Sequence, residues 1–225
     1  MNFTANDVIE SAKASKGGSS DAIHDGVLKI IKSKGSTTGS LLDLGMGQGT
    51  FLKKVQIALP SLDCFGSDAA DYGIPDGLKL EKHYIGDFNQ KLEIDRQFDI
   101  VCAIEVIEHL RDPRHFISQL EDITKVGGTI IVTTPNNESI TSLISFIFRG
   151  YFTAFSPNNY PAHITPLTEY HLKQMIRETK SLRLEQVHYF NNGRIPGSGA
   201  KWHSLIPFLR GKRFSDNFVL VIKKN

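Results

Sequence analysis

"LLDLGMGQGTFL", residues 41–52, is the stretch that decides the fold. A short apolar run comes first, then glycines at alternate positions (Gly45, Gly47, Gly49), then apolar residues at helical spacing. The pattern predicts a buried strand, a tight turn and a helix, the opening βα unit of an open parallel sheet. Glycines in such a turn let the backbone bend sharply and approach a ligand closely. A dinucleotide site asks for G-x-G-x-x-G and a positive helix end with no carboxylate beside it. Here the spacing is G-x-G-x-G, and Asp43 lies two residues before the first glycine. A carboxylate there suits a ligand carrying an ammonium or sulfonium charge.

The chain on either side fits the same frame. "DAIHDGVLKIIKSKG" (21–35) has Ile23, Val27, Ile30 and Ile31 at helical spacing, inside an N-terminal helical segment over residues 1–38. After the loop, "TFLKKVQIALP" is a helix closed by Pro60. Strands follow at "LDCFGSD" (62–68), "KHYIGD" (82–87), "FDIVCAI" (98–104) and "GTIIVTTP" (128–135). Between the last two, Asp112 and Pro113 open a helix whose face is Phe116, Ile117, Leu120 and Ile123 and which ends before Gly127-Gly128. Thr168 caps another, "EYHLKQMIRETK", with Leu167 and Leu172 as a hydrophobic staple. Two further strands, "LRLEQVHYF" and "NFVLVIKK", lack a strong helix between them, which predicts an antiparallel terminal pair. The expected fold is α/β, a Rossmann-like doubly wound seven-stranded sheet, mostly parallel with a C-terminal antiparallel strand.

Length and composition agree with one domain spanning residues 39–225 behind that segment. The chain has 225 residues, 40% of them hydrophobic and 22% charged, with a net charge of +2. Charge therefore does not mark a nucleic-acid binder, and no basic stripe with interleaved aromatics is present. Cys64 and Cys102 each fall in an apolar strand and read as small buried hydrophobes. With no signal pattern at the N-terminus and no apolar run of spanning length, the expectation is a cytoplasmic protein.

From about residue 38 to its end, the sequence resembles the class I S-adenosylmethionine-dependent methyltransferases, in whose first motif "DLGMGQG" fits. The resemblance implies S-adenosylmethionine as cofactor. It implies that Asp43 meets the amino end of that cofactor while Gly45 and Gly47 give backbone room. Asp68, 25 residues on, takes the ribose hydroxyls. Asp87 in "IGDF" accepts from the adenine amino group with the Phe88 backbone beside the ring, and Glu105 follows where the chain passes the sulfonium.

What remains is the acceptor side. Methyl transfer from a sulfonium is an in-line displacement, so the protein must align a nucleophile and, for a hydroxyl, remove its proton. Candidates at strand ends are Glu105, Glu108 and His109 in "EVIEHL" (105–110), then Asn136, Asn137 and Glu138, and His163 in "NNYPAHITPLT". The other histidines, His24 among them, read as structural or surface groups. On a helix, Glu105, Glu108 and His109 would share one face at i, i+3 and i+4. Three roles stay open for that face. It binds a divalent metal with His163, it orients or deprotonates the acceptor through His109, or it packs a helix start. E-x-x-E-H with a later His also resembles two kinds of metal-dependent O-methyltransferase, one modifying ribose ends of small RNAs, the other polyprenyl catechols of ubiquinone biosynthesis.

The 138–165 insertion is expected to form a lid over the acceptor. Its sharper readings are a pocket for an apolar or aromatic acceptor and an amphipathic surface touching a membrane peripherally, with Arg149 as its single basic residue. A second insertion, 191–215, carries Arg194, Trp202, His203 and Arg210, which would suit a sugar or phosphate-bearing acceptor. The resulting expectation is O-methylation of a small molecule, either a glycan precursor or a polyprenyl or aromatic compound. Its rivals are a non-catalytic S-adenosylmethionine-binding regulatory or scaffold protein, and a nucleotide-dependent oxidoreductase disfavoured by the loop spacing.

Overall fold

A computed structural model describes residues 18–195, 198 and 200–225. The N-terminal segment expected over residues 1–38 therefore falls among the described residues only from residue 18 onward. The elements are α1 (Asp21–Ser33), β1 (Gly39–Leu44), α2 (Thr50–Ala58), β2 (Leu62–Asp68), β3 (Lys82–Ile85), β4 (Phe98–Ile104) and α3 (Pro113–Asp122). Then come β5 (Thr124–Pro135), α4 (Ile140–Arg149), α5 (Glu169–Glu178), β6 (Leu182–Asn192), a short α6 (Trp202–Leu205) and β7 (Ser215–Lys224). The strands form one seven-stranded sheet in the order β3-β2-β1-β4-β5-β7-β6. All neighbours are parallel except β7, which runs antiparallel to both β5 and β6. The chain winds outward from β1 in one direction and returns to add β4 on its other side. That reversal opens a crevice at the carboxyl ends of β1 and β4.

Period-two alternation explains why both faces are covered. Leu42, Leu44, Val101, Ala103, Ile130 and Val132 point into one core, closed by Phe116, Ile117 and Leu120 of α3 and Leu172 and Ile176 of α5. Leu41, Ile100, Cys102 and Ile131 point into the other, closed by Ile23, Val27 and Ile31 of α1 and Phe51, Leu52 and Val55 of α2. Both cysteines are free and buried. Local signals set the helix starts. The Asp112 side chain accepts from the His115 amide behind Pro113, and the Thr168 hydroxyl accepts from the His171 amide.

Three boundaries differ from expectation. Helix α3 stops at Asp122, and the chain is already in β5 at Thr124, before the glycine pair. The Thr124 hydroxyl donates to the Leu120 carbonyl, and Gly127 (φ 75°) lies where the β4–β5 register shifts. "EVIEHL" does not begin an α-helix, since Glu105 sits at φ 56° and only a single 3-10 turn, Ile107–His109, follows. Finally, the 138–165 insertion opens with a full helix, α4, capped by Ser139 and ended by Gly150 at φ 80°. Among the described residues no helix is long and apolar enough to cross a membrane.

Candidate active site

A cavity of about 480 Å³ opens at the crevice and is lined from β1, β2, β4 and the 158–164 loop. Its floor is the glycine loop. Gly45, Gly47 and Gly49 all take positive φ (78°, 51° and 68°), which L side chains adopt reluctantly. The loop is pinned from β2, because the Gly45 and Met46 amides both donate to the Ser67 carbonyl at 2.8 and 3.1 Å. Asp68 pins it further, accepting from the Gly47 amide at 2.8 Å and from the Ala70 amide at 3.1 Å.

Asp43, next to last in β1, lies beneath this loop, 2% exposed, with Oδ1 lacking a hydrogen-bond partner among the described residues. Burial, and then the charge of Asp68, push its pKa well above the ordinary range. A cationic ligand group would reverse that penalty. Asp87 and Phe88 line the cavity beyond the loop, and Asp87 accepts from the Asn89 amide at 2.9 Å. The buried Gln119 side chain holds this corner, donating to the Phe88 carbonyl and accepting from the Leu92 amide. These groups line the cavity with carboxylates, bare backbone and an aromatic edge. Asp68 touches both loop and cavity, so Asp68→Ala should weaken S-adenosylhomocysteine binding by about tenfold to a hundredfold in calorimetry. Unchanged affinity would remove Asp68 from the binding surface.

The acceptor side is built by the turn after β4. The left-handed Glu105 is held from two neighbouring strands. Its amide and Oε1 both bond the Thr133 hydroxyl (2.9 and 2.8 Å), and Oε2 accepts from Asn217 of β7 at 2.7 Å. Such strain persists only where the surroundings overdetermine it. The turn sends Glu108 back under the sheet, 0% exposed, with Oε2 accepting from the Thr134 hydroxyl at 3.1 Å and Oε1 without a partner among the described residues. Burial raises its pKa to about 8. Burial, and then the neighbouring Glu108, also raise Glu105 well above the usual carboxylate range.

His109 leans the other way, its Nδ1 donating to the Ala162 carbonyl at 2.7 Å, so the proton-accepting role falls to its second nitrogen. Burial lowers its pKa, opposed by the carbonyls of Ala162 and Glu105. His163 stands edge-on to it, with ring centroids 4.8 Å apart, and burial together with His109 brings its pKa down to about 4. Both imidazoles are therefore neutral near pH 7. Glu108, His109 and His163 each offer a ligand atom, all within 4.8 Å of one another.

The structure thus gathers three of the four expected metal-binding candidates and leaves Glu105 out, bonded to Thr133 and Asn217. Asn136, Asn137 and Glu138 do not reach the cavity. Asn136 donates to the Lys212 and Ser215 carbonyls, Asn137 to the Leu167 carbonyl, and Glu138 pairs with Lys212. They brace the end of β5 instead. Two cavity residues had no sequence signal. Asn217 arrives from the far end of the chain, and His24, buried with Nε2 2.5 Å from the Ser19 hydroxyl, roofs the opening from α1.

Comparison with known proteins gives the family. The methyltransferase domain family matches residues 20–191. The mitochondrial ubiquinone biosynthesis O-methyltransferase of Dictyostelium discoideum is 36% identical over 104 residues, 46% of this chain and 29% of that protein. The ubiquinone biosynthesis O-methyltransferase of Rickettsia conorii is 28% identical over 149 residues, 62% of this chain and 50% of its own length. The chain thus spans half or less of these two relatives. Among solved structures, the N-methyltransferase NodS of Bradyrhizobium japonicum, in complex with S-adenosyl-L-homocysteine, superposes with a TM-score of 0.59 at 12% identity. That match covers 96% of this chain and 98% of the other.

Proposed function

We propose, for a chain that belongs to the class I S-adenosylmethionine-dependent methyltransferases, O-methylation of a small hydroxylated acceptor, a phenol bearing an apolar tail. S-adenosylmethionine is the cofactor of this family and supplies an electrophilic methyl group on a sulfonium. The orphaned Asp43 oxygen fits its amino end, and the side-chain-free Gly45 fits a close approach. Similarity to ubiquinone biosynthesis O-methyltransferases supports oxygen as the methylated atom and an acceptor of the ubiquinone-precursor class.

The observation that carries the reading is the Glu108–His109–His163 cluster at the acceptor end. Two neutral imidazoles and a buried carboxyl with an unused oxygen form a donor set that fits a divalent cation. Glu108, His109 and His163 would hold it, and it would supply Lewis acidity toward the acceptor hydroxyl. On the protein's own side, the Ala162 carbonyl keeps the His109 ring oriented with Nε2 toward the acceptor, where it would ligate the cation or, with no cation bound, take the hydroxyl proton itself. Glu105, fixed by Thr133 and Asn217, shapes the wall between cofactor and acceptor. A regulatory protein that merely binds the cofactor would have no use for this cluster.

The test is release of S-adenosylhomocysteine in the presence of prenylated and simple catechols, before and after dialysis against a chelator. Dialysed protein should lose at least about 90% of its activity, and Mg²⁺, Mn²⁺ or Zn²⁺ should restore it. Full activity in excess chelator would rule out the cation. Binding of S-adenosylmethionine without turnover on any hydroxylated acceptor would favour the regulatory reading.

A further inference from the structure

Helix α4 is inside out. Its buried residues are Ser142 and Ser145, while Ile147 is 73% and Phe148 81% exposed, and Phe146 is 48% exposed. A helix on a water-facing surface would bury those apolar groups and show the serines. The serines have work to do. Ser142 accepts from the Thr153 amide and Ser145 donates to the Tyr151 carbonyl, so hydrogen bonds hold the polar side inward.

A second segment repeats the pattern beside it. In the connection between β6 and β7, Leu205 is 67% and Phe208 81% exposed. Hydrogen bonds join the two at their bases. Thr141 donates to the Arg194 carbonyl, Trp202 donates to Thr141, and the Ile140 amide donates to the Arg213 carbonyl. Both leave the sheet at one end, because β6 runs parallel to β5 and each strand delivers its connection on the side where the cavity opens. Residues 158–164 of the first insertion line that cavity.

Charge selects the occupant. Residues 139–165 and 193–215 hold no Asp or Glu and carry Arg149, Arg194, Lys201, Arg210 and Arg213, besides Lys212, whose charge is met by Glu138 and Glu169. Only Arg149 lies in the first insertion. The other basic groups come from the second, and the fold adds them to its apolar helix. We propose that this joint face docks on an anionic lipid bilayer, with the apolar side chains of α4 and of residues 205–208 in the headgroup boundary and the basic groups on lipid phosphates. The cavity mouth then faces the membrane surface. This goes beyond the proposed methyl transfer and is tested without it.

The experiment is flotation of the full chain with phosphatidylcholine vesicles and with vesicles containing about a quarter phosphatidylglycerol, at low and high salt. The protein should float with the anionic vesicles, and each basic group near the surface should strengthen partition roughly fivefold at low salt. Ile147→Ser with Phe148→Ser should cut partition at least about tenfold. Both side chains are exposed, whereas Phe146 stacks on Phe152 and is left in place. Arg149→Glu with Arg210→Glu should abolish the preference for anionic vesicles. S-adenosylhomocysteine affinity, unchanged in both variants, certifies their fold. No flotation of the parent chain, or equal flotation of the Ile147/Phe148 variant, overturns the proposal. So does a lipid-free dimer that the same variant disperses, since the occupant is then a second copy of the chain.

Discussion

Glu108→Gln lowers methyl transfer at least about a hundredfold and leaves S-adenosylhomocysteine affinity within about twofold of the parent. The substitution keeps shape and most of the local bonding. A glutamine carbonyl still accepts from the Thr134 hydroxyl, now supported by the 3.1 Å contact to Oε2, and the site is fully buried, so no solvent rearrangement follows. It replaces only Oε1, the oxygen with no hydrogen-bond partner among the described residues and the one a bound cation would hold ionised. If that oxygen serves a cation, titration of Mg²⁺ or Mn²⁺ followed by calorimetry loses its heat in the variant. Glu105→Gln should behave differently. Its carboxylate bonds Thr133 and Asn217 and stands outside the cluster, so cation binding should survive even where the rate falls. An E108Q enzyme with parental rate would reduce the buried carboxyl to packing and leave His109 as the sole acceptor-side group.

Those two glutamates mark where sequence reading stops. The sheet was legible because its signals are local. Alternate glycines after "LLDL", Asp112-Pro113, Thr168 with its leucine staple, and apolar runs of strand length each act within a few residues. The placing of Asp43, Asp68 and Asp87 at or just past strand ends around the cavity was legible for the same reason, whereas the cofactor roles given to them rest on the family resemblance. "EVIEHL" was legible as a position and not as a shape. Helical spacing placed three side chains on one face, but Glu105 is pulled into the left-handed region by bonds to Thr133 and Asn217, 28 and 112 residues away. Nothing near residue 105 encodes either partner. Those bonds occupy Glu105, so the metal-fitting set shrinks to Glu108, His109 and His163. His24 reaches the cavity only because α1 packs across α2, with its ring 5.7 Å from that of Phe51. The outward apolar face of α4 was only one of the readings open for 138–165, because a run such as "LISFIF" ordinarily predicts burial.

Gly45→Ala should cost the protein about 2–4 kcal/mol and weaken S-adenosylhomocysteine binding at least about thirtyfold. Two separate terms contribute. The residue sits at φ 78°, where a Cβ costs about 1–2 kcal/mol. That Cβ would also lie 2.4 Å from Val106 Cγ2, a contact that forces one side to move. The loop cannot withdraw, because the Gly45 and Met46 amides are both bonded to the Ser67 carbonyl. Val106 must therefore shift, and it lines the cavity beside Glu105. Gly77→Ala separates the terms, since Gly77 has the same φ of 78° with nothing within 4 Å of its added Cβ. It should cost only the backbone share, about 1 kcal/mol, with cofactor affinity unchanged. Adding Val106→Ala to Gly45→Ala removes the clashing methyl and should recover most of the affinity while the backbone cost remains. If Gly45→Ala matched Gly77→Ala in both melting temperature and affinity, the glycine would be needed for its turn alone, and the close approach of cofactor to bare backbone would have no support from this position.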